Sequence, residues 1–146
     1  METDAEIEAL VRSFEELTLP RARWTHRAHL VAALWYLRRY PREDATRRIR
    51  EGIKAFNARH GVGSGYHETV TLAWVAVVAR FLTEHDRGQP LPTLTAALLE
   101  ACGGKDHLLV YYTEGVLMSE EARRTWVPPD LRPIEADDLN GVESRT

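Results

Sequence analysis

A single apolar stretch near the middle of the chain constrains the fold most. Val70 to Ala79 carries no charge, and the wider segment from about His67 to Glu84 contains no glycine, proline or asparagine. Its valines favour β structure locally, but the segment is far longer than an ordinary strand of about 5 or 6 residues. We therefore predict a buried helix that is apolar on nearly every side. Its apolar residues are Val70, Leu72, Trp74, Val75, Val77, Val78, Phe81 and Leu82.

Two amphipathic helices are predicted near the N-terminus. Thr3 and Glu6 have the spacing of a capping box, ahead of a first helix that ends before Pro20. Thr25 is predicted to cap a second helix, which continues to Tyr40 and is stopped by the proline that follows.

The remaining helices are also predicted from their end signals. A third helix is expected from Asp44, as its cap, to Gly61, as its C-terminal residue. Beyond the apolar segment, three shorter helices are expected, with Thr93, Asp106 and Ser119 as their caps.

These elements predict one all-α domain over residues 1–127. Short connections favour an antiparallel bundle of four main helices, with two or three short helices at its C-terminal end. Residues 128–146 contain three prolines, several acids and no periodicity, so we expect a tail that is loosely attached or disordered. The lone cysteine, Cys102, excludes an internal disulfide and a cysteine-based metal cage.

Charge and hydropathy limit the kinds of partner that the protein can bind. The longest apolar run is about half of what a bilayer span requires, and the N-terminal residues are acidic, so we expect a cytoplasmic protein without membrane contact. The net charge is only −3, but residues 21–60 contain eleven basic and three acidic residues. Such a block can attract an anionic ligand or nucleic acid, or it can form ordinary solvated helix faces.

Three histidines occupy predicted first turns. His26 and His29 open the second helix, and His67 opens the fourth. In an antiparallel bundle these two helices start at the same end, so the three imidazoles are expected to converge. A divalent metal such as Zn or Fe needs about three such ligands and an open position. The alternative is that each histidine only caps a helix or bonds a loop carbonyl.

The same end of the bundle also predicts an anion site that needs no metal. Helix starts present free N–H groups and partial positive charge, and Arg23 and Arg27 would add to it. His67 or His26 would then act as a general acid or base. Glu68 would cap N–H groups or orient an imidazole.

A ligand pocket is expected beside these histidines. Thr71 and Trp74 follow His67 at helical spacing, and Tyr66 precedes it, so the three side chains could line a small pocket. Aromatic residues at this spacing are more often core residues. The Thr71 hydroxyl can also bond the carbonyl four residues back, which requires no function.

Three ordered segments carry a resemblance to known proteins. WTHRAHLVAALWYL, GYHETVTLAWV and YYTEGVLMSEEARRTWVPPDL resemble a group of small uncharacterised bacterial all-helical proteins, from about residue 14 to 132. This resemblance implies an intact helical domain and no particular activity. A looser similarity, of architecture alone, is to DinB-type helical bundles, which gather histidines from separate helices to bind metal.

The sequence therefore favours a small-molecule enzyme or binding protein with a histidine-rich site for an anionic ligand, dependent on a metal or not. The alternative is a non-catalytic module that binds an anionic partner through the arginine-rich second and third helices. Nucleic acid ranks below the small molecule, because no DNA-reading unit is present. A homodimer stays open.

Overall fold

The computed structural model describes residues 3–62 and 65–135, and this part of the chain is helical without any strand. Short 3₁₀ turns cover Arg21–Arg23 and His107–Val110. The α-helices are α1 (Asp4–Glu15), α2 (His26–Arg39), α3 (Arg42–Arg59), α4 (Glu68–His85), α5 (Leu91–Cys102), α6 (Glu114–Leu117) and α7 (Glu120–Arg124).

Side-chain caps fix several helix starts as the sequence predicts. Thr3 and Glu6 form a reciprocal capping box at α1. The hydroxyls of Thr25 and Ser119 accept the expected backbone N–H bonds at α2 and α7. Gly61 follows the last turn of α3 with a φ of 72°, a conformation that favours glycine.

Three starts differ from the prediction. The third helix begins at Arg42, directly after Pro41, while Asp44 lies within its first turn and accepts bonds from arginines of the same helix. Similarly, α5 begins at Leu91, and Thr93 lies inside it. Asp106 precedes only the 3₁₀ turn and makes no side-chain cap bond. A helix can start without a side-chain cap, since water can satisfy its exposed N–H groups.

The core forms around α2 and α4. Helix α2 packs against α1, α3, α4 and α5, and α4 also packs against α3, α5 and α7. The predicted buried helix therefore shares the centre with α2. Trp74 is only partly buried and contacts both hydrophobic clusters of the domain. The fully buried residues of α4 are Thr69, Ala73, Val75, Ala76, Val77, Val78 and Phe81.

Residues 128–135 are packed on the domain, unlike the loose tail that the sequence predicts. The Leu131 N–H donates to the Tyr111 carbonyl at 2.9 Å. Asp130 accepts two bonds from Thr113, at 2.9 and 2.8 Å. Ile134 is 1% exposed and belongs to the second hydrophobic cluster. Buried apolar side chains therefore hold this stretch despite its prolines; residues 136–146 lie outside the described residues.

Thr69 ties the start of α4 to this C-terminal region. Its side chain is fully buried, and its hydroxyl donates to the Thr125 carbonyl at 2.6 Å. The same oxygen accepts the Val127 N–H at 3.0 Å. One hydroxyl thus pairs two backbone groups that the end of α7 leaves free.

No helix in the described part of the chain is both long and apolar enough to cross a membrane.

Candidate functional site

A cavity of about 340 Å³ lies between the N-terminal halves of α2 and α4. Side chains from α1 and α3 and the segment 65–67 complete its wall. The described residues that line it include no charged side chain. They are Phe14, Trp24, His26, His29, Leu30, Ala32, Ala33, Tyr36, Ile49, Ile53, Gly65, Tyr66, His67, Val70, Thr71, Trp74 and Val75.

Most of the residues that the sequence selects lie around this cavity. His26, His29 and His67 all line it, because α2 and α4 bring their first turns to it. The predicted pocket residues Tyr66, Thr71 and Trp74 line it as well.

The other selected residues lie elsewhere. Arg23 and Arg27 are exposed and line a separate groove between α1 and the start of α2. Glu68 is turned to α3, where Arg50 donates two hydrogen bonds to its carboxylate, at 3.1 and 2.9 Å. The Tyr66 hydroxyl donates to the same carboxylate. Glu68 is thus engaged in an ion pair and neither caps α4 nor orients an imidazole.

His67 uses both ring nitrogens in the fold. Its Nδ1 accepts the Val70 N–H at 3.1 Å, so the imidazole itself caps α4. Its Nε2 lies 2.8 Å from the Leu117 carbonyl and therefore carries the proton. Burial lowers the pKa of His67, the Leu117 carbonyl opposes this, and the positive charge of Arg123 adds to the lowering. The ring is thus a neutral structural link, with no free lone pair for a metal.

His29 has one ring nitrogen bonded and one without a described partner. Its Nδ1 lies 2.7 Å from the Thr25 carbonyl, which can only accept, so Nδ1 carries the proton. Burial lowers the pKa of His29, the Thr25 carbonyl raises it, and His26 lowers it further. The ring packs on Trp24 with centroids 4.0 Å apart. Its Nε2 therefore keeps an acceptor lone pair and makes no hydrogen bond to a described residue.

Two ring nitrogens of cavity residues are buried and unsatisfied. His26 Nε2 and Trp24 Nε1 are buried and have no hydrogen-bond partner among the described residues. The His26 ring meets Trp74 edge-on, with centroids 4.9 Å apart. Burial lowers the pKa of His26 despite the neighbouring carbonyls of Gly103 and Gly104. Each unpaired buried group costs about 1 to 3 kcal/mol.

A metal centre does not fit this arrangement. The described residues contain no group of three or more histidine, cysteine, aspartate or glutamate side chains placed to hold a metal ion. The predicted Zn or Fe centre has His26, His29 and His67 as its ligands. Because His67 spends both nitrogens on backbone groups, at most two of these imidazoles keep a lone pair, fewer than the three protein ligands of an open zinc site.

The anion site is also not formed as expected. The N–H groups of Ala28 and Val70, at the two helix starts, are already capped by Thr25 and His67. No arginine or lysine is among the described residues that line the cavity.

Several cavity residues were not selected from the sequence. Phe14 stacks on Trp24 with centroids 4.2 Å apart, and Tyr36 donates to Glu15 at 2.7 Å. Ile49 and Ile53 complete the wall from α3. Their apolar spacing marks them as core, and nothing in the pattern distinguishes a core residue that touches a cavity from one that does not.

The arginine-rich surface of α2 and α3 is largely neutralised within the protein. Acidic side chains from other elements pair with several of its arginines, and one acid in α3 pairs with two more. These ion pairs are Arg38–Asp86, Arg39–Glu8, Arg42–Glu135, Arg50–Glu68, Arg47–Asp44 and Arg48–Asp44.

The chain matches no protein-family model, no curated protein and no solved structure. The resemblance to small bacterial helical proteins and to DinB-type bundles therefore stays a prediction.

Proposed function

We propose that the protein binds a small, neutral and mainly apolar molecule in the cavity between α2 and α4. The observation that carries the proposal is a cavity of about 340 Å³ whose described lining is aromatic and aliphatic, with a few ring nitrogens and hydroxyls. Small-molecule sites have this composition and start at about 300 Å³. The fold thus leaves apolar surface inside the domain that a ligand can cover.

A neutral ligand fits better than the anion predicted from the sequence. Burial lowers the pKa of the three imidazoles at the cavity, so these rings are neutral near pH 7. An anion would enter an apolar space without a cation to pair with, at a cost of several kcal/mol.

Binding is favoured over catalysis as the primary activity. His67, proposed from the sequence as an acid or base, and Glu68, proposed to cap N–H groups or orient an imidazole, are held by backbone and ion-pair contacts. The interaction module ranks second, since six arginines of α2 and α3 already pair with acidic side chains of the protein. We further propose that α1 to α4 form an antiparallel bundle, because the connection between α2 and α3 is only two residues long. We also propose that the protein acts in the cytoplasm.

Titration with toluene and indole tests the proposal. Calorimetry of the native protein is expected to give saturable binding, and saturating ligand should raise the unfolding temperature. Ala33→Leu fills the cavity from α2 and should abolish binding, provided that its helical circular dichroism is retained. Ala9→Leu makes the same change on the exposed face of α1 and should bind normally. The proposal fails if neither compound binds or if Ala33→Leu binds them equally well.

A further inference from the structure

We propose that the ligand is an aromatic alcohol of the phenol class, whose hydroxyl donates a hydrogen bond to His29 Nε2. This inference rests on the proposed function and specifies the chemistry of the same cavity. It depends on the fixed tautomer of His29, on the hydrogen bonds of the other polar side chains, and on the stacking of Trp24.

The tautomer of His29 is set by the backbone. The Thr25 carbonyl is 2.7 Å from Nδ1 and accepts its proton, so neutral His29 presents Nε2 as an acceptor. A ligand group that meets this atom must therefore be a donor. Ketones, ethers and hydrocarbons offer no such proton.

Most other polar side chains around the cavity are satisfied by the protein itself. Thr71 donates to the His67 carbonyl, Tyr36 donates to Glu15, and both nitrogens of His67 are bonded. The Tyr66 hydroxyl donates to a carboxylate outside the cavity. The ring nitrogens that make no hydrogen bond to a described residue are therefore left to recognise a polar group on the ligand.

Trp24 selects a hydroxyl among the donors. Its ring lies against His29 with centroids 4.0 Å apart, and its buried Nε1 is a donor without a partner among the described residues. A hydroxyl both donates and accepts, so it can donate to His29 Nε2 and accept from Trp24 Nε1. An ammonium group can only donate, and it would also bring charge into an apolar cavity.

The aromatic residues that line the cavity favour a ligand with an aromatic ring. Phe14, Trp24 and Trp74 provide ring surfaces, and aromatic pairs gain about 0.5 to 1.5 kcal/mol beyond burial. The volume of about 340 Å³ is roughly twice the ~150 Å³ of an engineered cavity that holds benzene. A single aromatic ring or a pair of fused rings therefore fits in the cavity.

Matched probes test this inference. Phenol and toluene have similar shapes, as do 2-naphthol and 2-methylnaphthalene, and only one of each pair donates a hydrogen bond. The preference for the hydroxyl compound, as a ratio of dissociation constants, is measured in the native protein and in His29→Phe. This variant keeps a ring against Trp24 and removes the acceptor. We expect the preference to fall about tenfold, the value of one hydrogen bond.

A second measurement uses the native protein, in case the variant does not fold. With ¹⁵N-labelled histidine, phenol and 2-naphthol should shift the His29 Nε2 resonance, whereas the hydrocarbon partners should leave it nearly unchanged. Hydrocarbon binding without a hydroxyl preference or an Nε2 shift would refute the phenol class and leave the proposed function standing. If no probe of either kind binds, both proposals fail.

Discussion

Replacing Thr69 with valine tests how firmly the first turn of α4 is tied to the C-terminal region. The two side chains are close in size, so the change mainly removes the hydroxyl. That hydroxyl is fully buried, donates to the Thr125 carbonyl at 2.6 Å and accepts the Val127 N–H at 3.0 Å. The substitution therefore breaks two hydrogen bonds that join positions more than fifty residues apart in the chain.

The expected loss follows from what happens to each backbone partner. Thr125 is exposed, so its carbonyl can turn to water and loses only about 1 kcal/mol. Val127 is 6% exposed, so its N–H stays buried without a partner, which costs about 1 to 3 kcal/mol. Together they should lower the free energy of unfolding by about 2 to 4 kcal/mol.

Urea denaturation followed by circular dichroism measures this loss. For a slope of about 2 kcal/mol/M, the midpoint should fall by about 1 to 2 M. Thr71→Val is the matched control, because the Thr71 hydroxyl donates to a carbonyl of its own helix turn, at 2.8 Å, rather than to a distant segment of the chain. It should cost less than about 0.5 kcal/mol. Equal midpoint shifts for the two variants would refute the reasoning.

Three further predictions concern the helix starts and the core. His67→Asn should be more stable than His67→Ala in urea denaturation, since asparagine can still cap α4, but less stable than the native protein, since it cannot reach the Leu117 carbonyl. Gly52→Ala should destabilise the protein by about 1 to 2 kcal/mol, because the new Cβ would lie 2.6 Å from the Phe14 ring. Gly104→Ala is the control: a Cβ there would meet open space, so this change should leave the stability nearly unaltered. The free energy of unfolding should fall as the pH drops from 7.5 to 6. Folding lowers the pKa values of the cavity histidines, so the unfolded chain takes up protons first, near pH 6.5, and stability is lost until the pH reaches the folded pKa values. A free energy of unfolding that does not change over this range would contradict the prediction.

The meeting of the three histidines could be expected from the sequence because it needs only the helix starts and the chain direction. Thr25 marks the start of α2, and the end of the loop before His67 marks that of α4. The chemistry of each imidazole was not predictable. His67 both caps α4 with one ring nitrogen and bonds, with the other, a carbonyl 50 residues away.

Long-range partners explain the other differences as well. Glu68 could not be assigned to Arg50 from spacing, because the pair joins two helices whose rotation about their axes depends on packing. The segment 128–135 has the composition of a loose tail, yet Ile134 is buried in the second hydrophobic cluster, a contact that the sequence does not reveal. Local signals therefore predict the helices, and three-dimensional packing determines which polar atoms stay free.

The bonds from α4 to the C-terminal region also set the order in which a nascent chain can complete its fold. His67 and Thr69 are held by backbone groups that follow 50 to 58 residues later. At about 5 to 20 residues per second, a ribosome needs roughly 3 to 12 s to add that length. During this interval the first turn of α4 lacks these distant hydrogen bonds. The neighbouring residues 65–67 are then held by their contacts with earlier parts of the chain. The cavity between α2 and α4 is therefore among the last parts of the protein to form.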